Sequence, residues 1–178
     1  MDQLAHWQTF FFLAGSSGAG LTGLQFVVIA LIADSRRKAT PREIEAFSTP
    51  TIVHFCAVLL VSAIMSLPWP RLSQLAYALG ACGLTGLLYG VITILRARGQ
   101  ITYRPVFSDW LCHAVLPMFA YTMLLIAAIL LTGYTLPTLF VVGGCALVLL
   151  FVGIHNAWDT VTYIAIEDSP TKRNRKEH

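Results

Sequence analysis

The chain has 178 residues, of which 56% are hydrophobic and only 12% are charged. A soluble domain carries roughly 25% charged residues, so this composition excludes a soluble monomer, a disordered chain and a free nucleic-acid-binding protein. The basic residues are also clustered, since no lysine or arginine occurs between Arg42 and Arg71 or between Arg104 and Lys172. Gaps of that length are too long for the solvated faces of soluble helices, and they predict an all-α integral membrane protein.

Five segments are apolar and long enough, or nearly so, to cross a bilayer, which takes about 20 residues of helix. Because the bilayer core offers the backbone no hydrogen-bond partners, each segment is predicted to be helical. A transmembrane five-helix domain is therefore predicted over residues 1–166, followed by a basic tail over residues 167–178. The predicted spans run from His6 to Ala33, Thr51 to Leu67, Leu72 to Leu95, Asp109 to Thr132, and Leu136 to Ile166.

The second span is predicted to begin at the sequence Ser48-Thr49-Pro50. A hydroxyl before a helix accepts a hydrogen bond from a free backbone N–H, and proline in the first turn leaves no donor unpaired. The sequence Thr135-Leu136-Pro137 predicts the same kind of start for the last span.

The basic residues predict the orientation of the bundle. Eleven of the twelve lie in the 34–50 loop, the 96–108 loop and the tail, which share one side of a five-helix arrangement, and the other side holds only Arg71. Because positive loops stay on the cytoplasmic side, the N-terminus is predicted to face out and the C-terminus to face the cytoplasm. The basic tail is predicted to contact anionic lipid headgroups.

Small residues recur at helical spacing in the first and third spans. Such residues let helix backbones approach closely, and in lipid this packing is the main drive to associate. Contacts of this kind are predicted within the protein or between protomers, and a homo-oligomer is expected because five helices enclose little space for a private pore. The predicted packing residues are Gly15, Ala19, Gly20, Gly23, Gly83 and Gly86.

Three histidines and two aspartates fall inside the predicted spans, where ionisable groups are costly to bury and are candidates for function. Asp109 and His113 share one face of the fourth span, and His155 and Asp159 share one face of the fifth. Since these two spans run antiparallel, the pairs are predicted to meet, with His54 at the same level. The meeting requires about two turns of the last span to extend beyond the bilayer.

Three further residues are predicted to support this cluster. Pro117 has no N–H, so it frees the carbonyl group of His113. Asn156 and Trp158 belong to a polar run around His155, and Asn156 faces a different side of the helix from Asp159. The two-sided polarity predicts that the last span is surrounded by protein or lines a wet cavity.

Several kinds of function fit such a cluster. The first is a small channel or transporter-like protein, linked to protons or cations, because imidazole titrates near neutral pH and His/Asp chains relay protons. The alternative is an intramembrane protein that binds Zn²⁺, Fe²⁺ or Mn²⁺, or a bis-histidine haem, which leaves open whether the chain is an enzyme. A structural or accessory subunit is the third, with Asp159 paired to His155 and Asp109 placed at a helix N-terminus.

Two segments carry a family resemblance, namely Gly20-Leu21-Thr22-Gly23-Leu24-Gln25-Phe26 in the first span and Asn156-Ala157-Trp158-Asp159 in the last. Both resemble a broad group of small bacterial multi-pass membrane proteins with no assigned activity. The resemblance covers about two of the helices. It implies a location in the bacterial inner membrane and nothing about the chemistry.

Overall fold

The computed structural model describes the backbone over residues 2–34, 41–98 and 111–167, and the side chains over residues 4–30, 49–95 and 111–162. This described backbone is helical, with short turns, and contains no strand. The helices are α1 (Asp2–Ala5), α2 (Gln8–Asp34), α3 (Pro41–Ser66), α4 (Leu72–Arg98), a π turn (Leu111–Val115) that leads into α5 (Leu116–Leu130), and α6 (Thr135–Glu167).

Five of these helices are long and apolar enough to cross a membrane, namely α2, α3, α4, the π turn with α5, and α6. The prediction of an all-α chain with five apolar helices is thereby confirmed. Large apolar side chains cover the outside of the bundle, and Phe12, Phe26 and Phe151 are each more than half exposed. Such a surface suits a lipid environment, because soluble proteins rarely expose large contiguous apolar patches.

The apolar part of α3, Thr49–Ser66, agrees with the second span predicted from Thr51 to Leu67. The helix start predicted at Ser48-Thr49-Pro50 is wrong, because α3 begins at Pro41 and continues through Pro50. Proline suits the first turn of a helix, and Pro41 occupies that position. The sequence prediction missed the extension because it lies outside the apolar run, in a segment that carries Arg42, Glu43 and Glu45.

The helices form a ring with one helix outside it. Helices α3, α6, α5 and α4 pack in that order around the ring, and α2 packs on the outside against α3 and α6. At one end of the bundle, helices α2, α4 and α6 terminate and α3 begins. We call this the basic end, because the sequence segments that flank it carry the clustered basic residues. Toward the opposite end the core is apolar, and its fully buried side chains include Val58, Val61, Leu79, Leu124, Leu139 and Val142.

Glycines set the contact between α2 and α3. A methyl group on Gly15 would lie 2.8 Å from Cβ of Ser62, and one on Gly18 would lie 2.9 Å from the backbone carbonyl oxygen of Phe55. The predicted stripe is only partly present within the chain. Ala19 is exposed, and a methyl group on Gly20 or Gly23 would meet nothing within 4 Å. Gly15 and Gly18, three residues apart, lie on the face of α2 that contacts α3. Ala19, Gly20 and Gly23 lie on other faces of the helix and point outward.

Replacing Gly18 by alanine is expected to destabilise the bundle by about 1–2 kcal/mol, because overpacking of a close contact forces backbone shifts. The atom that opposes the new methyl group belongs to the backbone of α3, so it cannot swing aside. Gly144→Ala on α6 is the matched control and is expected to be neutral or stabilising, because a methyl group there would meet nothing within 4 Å and alanine favours a helix over glycine. The free energy of unfolding, measured by SDS titration with circular dichroism, distinguishes the two. Equal stability of both variants would contradict the observed α2–α3 contact.

Candidate functional site

A buried histidine lies on the face of α3 that points into the ring of helices. His54 is 3% exposed, and its neighbour on the same buried face, Thr51, is fully buried. The Nδ1 atom of His54 lies 3.1 Å from the hydroxyl oxygen of Tyr121 on α5, within hydrogen-bonding distance. Tyr121 is 1% exposed. The two side chains therefore join α3 to α5 by a polar contact inside an apolar bundle.

The ring of Tyr121 is placed by a glycine on α4. A methyl group on Gly86 would overlap the Tyr121 ring, and one on Gly83 would lie 3.0 Å from the backbone nitrogen of Leu125. The predicted packing roles of these two glycines are thus present in the α4–α5 contact. Sequence analysis missed Tyr121, although it lies four residues after Pro117 and eight after His113. That spacing puts the three residues on one helix face and was an available signal.

A small cavity brings together two of the predicted histidines. It lies between α3, α4 and the start of α5, and it leaves room for about one water molecule. We call it the imidazole cavity. Its lining residues include Pro50, His54, Tyr89, Thr93, His113 and Pro117.

The π turn at residues 111–115 carries His113 to this cavity. It directly precedes Leu116 and the buried Pro117, whose missing N–H was predicted to disturb the backbone hydrogen bonds at this point. π turns are rare and are often found at functional sites. The local irregularity of the helix thus lies beside the imidazole cavity.

The two nitrogens of the His54 ring differ in their surroundings. Nδ1 faces the Tyr121 hydroxyl, whereas the buried Nε2 has no hydrogen-bond partner among the described residues. The hydroxyl can donate to Nδ1 or accept from it, so the ring proton can reside on either nitrogen. A buried imidazole of this kind, beside a cavity that fits a water molecule, can take up and release a proton.

The second predicted pair lies on the outside of the bundle. The Nε2 atom of His155 is 3.3 Å from Oδ2 of Asp159, and their side chains are 42% and 44% exposed. The pairing predicted within the last span is therefore present, although its geometry is that of an ion pair rather than a hydrogen bond. His155 lines an apolar groove between α5 and α6 together with Cys112 and Leu116.

The two histidines predicted to meet, His113 and His155, line different spaces. Since His155 and Cys112 line one groove, the long last helix does bring His155 to the height of the π turn. His113, however, lies with His54 in the imidazole cavity and not with His155 in the groove. The expected facing of His113 and His155 is thus replaced by a facing of His113 and His54. Asp109 lies outside the described residues.

The described residues do not fit the predicted metal or haem centre. Within residues 4–30, 49–95 and 111–162, no group of three or more His, Cys, Asp or Glu side chains is arranged to hold a metal ion. A bis-histidine haem needs two imidazoles on opposite sides of a large planar ring. Here His155 lines a different space from His54 and His113, whose cavity has room for about one water molecule.

Two amide side chains add to the buried polar groups. Asn156 on α6 is fully buried, and neither its Nδ2 nor its Oδ1 has a hydrogen-bond partner in the described part of the chain. Gln25 on α2 is 3% exposed, and its Nε2 is also without a partner there. Sequence analysis placed Asn156 with the site but gave Gln25, a lone amide in an apolar run, no functional role. Trp158, predicted beside Asn156, is 69% exposed on the surface of the bundle.

Comparisons with family models, with curated proteins and with solved structures gave no match to this chain.

Proposed function

We propose that the protein is a small membrane channel or transporter-like protein, linked to protons or cations, in which His54 is the central functional group. One observation carries this proposal. The imidazole of His54 is buried inside a bundle of membrane-length helices, with one nitrogen on Tyr121 and the other without a partner among the described residues. Ionisable groups are expensive to bury in a membrane, and those that are retained mark ion and proton pathways.

The surroundings of His54 support a role in transport. The imidazole cavity lies toward the basic end of the bundle, near Thr49, where the apolar part of α3 begins. Beyond it, toward the opposite end, the core is closed by apolar side chains that include Val58, Leu79 and Leu124. Such a layer excludes water and ions, so transport requires the helices to part at that level. The proposed protein alternates between this closed arrangement and one in which the layer opens.

A flux measurement on reconstituted protein tests the proposal. Phospholipid vesicles that contain the protein and an internal indicator dye, sensitive to pH or selective for Na⁺ or K⁺, are given an inward gradient of the matching ion. We expect at least one of these ions to enter faster than it enters vesicles without protein. His155→Gln is expected to retain this flux within about twofold, because His155 lies outside the imidazole cavity. Absence of flux for all three ions would overturn the proposal.

The metal and haem alternative is tested on the same purified sample. Stoichiometric Zn, Fe or Mn by elemental analysis, or a Soret band in the absorption spectrum, would favour it over transport. Loss of the metal in a His155→Ala variant would then assign the site to the groove between α5 and α6. Because His155 lines a different space from His54 and His113, the three histidines do not form one metal or haem site, which favours the transport proposal over this alternative.

The cellular setting is part of the proposal. We place the protein in a bacterial inner membrane with its N-terminus outside and its basic end in the cytoplasm, where the tail contacts anionic lipids. We further propose a homo-oligomer in which Ala19, Gly20 and Gly23 face a neighbouring protomer, since small residues favour helix association in lipid. These residues lie on the outside of α2.

A further inference from the structure

Two helices place buried polar groups at the level of His54. A methyl group on Gly153 of α6 would lie 2.5 Å from Cε1 of Phe55, the residue next to His54. Asn156 follows Gly153 by three residues, about 4.5 Å nearer the basic end. Thr51 precedes Phe55 by four residues, about 6 Å in the same direction. Asn156 and Thr51, both fully buried, therefore lie at nearly the same depth inside the bundle.

The outer helix adds a third buried group, about one helical turn nearer the basic end than Asn156. Gly18 of α2 packs against the backbone of Phe55. Gln25 follows seven residues later on the same face of α2, about 10 Å nearer the basic end. Its Nε2 is buried without a partner in the described residues. Unpaired amides of this kind cost free energy in an apolar interior, and buried polar groups in proteins are normally satisfied by protein or by ordered water.

The chemistry of Asn156 selects the ligand. Its Nδ2 is a donor and its Oδ1 an acceptor, and both are without a partner among the described side chains. A metal cation would bind the oxygen alone and leave the donor unpaired. A water molecule can accept from Nδ2 and donate to Oδ1. Exchanging the two atoms of the amide leaves this conclusion unchanged, because neither is paired.

We propose that Asn156 holds ordered water in the interior of the bundle at about the depth of His54, and that the ion carried by the protein is the proton rather than a metal cation. This inference rests on the proposed transport function and specifies its substrate. A proton moves along water and imidazole by forming one O–H or N–H bond as another breaks, so each water molecule and the His54 ring are regenerated. Asn156 is a positioning residue in this scheme, because it orients water and does not itself gain or lose the proton.

The test compares three variants in the vesicle assay and in thermal unfolding. Asn156→Leu is expected to lower proton flux at least about tenfold, the effect of losing about 1.4 kcal/mol of hydrogen bonding, while the melting temperature stays the same or rises. Asn156→Ser keeps a donor and an acceptor and is expected to recover part of the flux. Thr138→Val is the matched control on α6, since Thr138 is buried but already donates to the carbonyl of Tyr134.

Distinct results overturn the inference and the proposed function. Wild-type protein that carries Na⁺ or K⁺ as fast as protons would overturn the inference and leave transport standing. So would an Asn156→Leu variant that folds and carries protons at the wild-type rate. If Asn156→Leu fails to fold, Asn156→Ala takes its place, because alanine also lacks a side-chain donor and acceptor. A folded Asn156→Ala protein that carries protons at the wild-type rate would contradict water binding, whereas a rate below that of Asn156→Ser would support it. No flux of any of these ions in the wild type would overturn the proposed function itself.

Discussion

Replacing His54 by glutamine is expected to reduce proton flux by about a hundredfold or more, because a side chain that transfers protons contributes factors of that order. Glutamine is polar and similar in reach, so it can keep a hydrogen bond to the Tyr121 hydroxyl, but its amide does not take up and release a proton as an imidazole does. Proton flux into vesicles with an internal pH dye checks this expectation.

Two variants separate the protonation of His54 from its placement. Tyr121→Phe keeps the imidazole but removes the hydroxyl that faces Nδ1. Since a neutral hydrogen bond contributes about 1 kcal/mol, this variant is expected to retain a reduced proton flux, well above that of His54→Gln. Tyr77→Phe is the matched control, because Tyr77 is 79% exposed on the outside of α4. Wild-type flux in a correctly folded His54→Gln protein would show that His54 is not on the pathway.

The helices themselves were predictable from sequence because hydropathy is a local property. The last helix was expected from Leu136 to Ile166, and it runs from Thr135 to Glu167. Hydropathy does not locate a helix terminus that lies outside the apolar run, as the start of α3 at Pro41 shows. Helical backbone can extend past the apolar region, and residues 41–48 are not part of a continuous apolar run that would reveal it.

The candidate site was predictable only within single helices. The pairing of His155 with Asp159 follows from their spacing of four residues, and it is present. The partner of His113 depends on how each helix is rotated about its axis, which no local pattern determines. That rotation is determined by close contacts between helices, such as Gly153 against Phe55 and Gly18 against the backbone of α3. These contacts turn His54, rather than His155, toward the cavity of His113.

The last span was predicted to be polar on two sides, and the structure shows that these two sides have different surroundings. Asn156 and His155 are adjacent in sequence, so they project about 100° apart on the helix. Asn156 is fully buried, whereas His155 is partly exposed in the groove between α5 and α6. The polar residues of this segment therefore divide between an interior set and a surface pair. Only the interior set is buried at about the depth of His54.

Replacing Gly86 by alanine is expected to destabilise the bundle by about 3 kcal/mol, at the upper end of the usual cost of overpacking. The new methyl group would overlap the ring of Tyr121 and not merely its far edge, since Cγ is among the atoms it meets. Tyr121 is 1% exposed in the core, so the ring has no free space into which to move. The free energy of unfolding of the purified protein, from SDS titration, measures the loss.

Gly80→Ala on the same helix provides the control for this loss. Its methyl group would lie 3.5 Å from Cβ of Ala128, which is ordinary van der Waals contact, and alanine favours a helix over glycine by about 1 kcal/mol. We therefore expect Gly80→Ala to be neutral or stabilising. A Gly86→Ala/Tyr121→Leu double variant is expected to lose less stability than the sum of its single changes, because the overlap is relieved. Additive losses would show that the Tyr121 ring does not rest on Gly86, and the placement of the hydroxyl beside His54 would lose its structural basis.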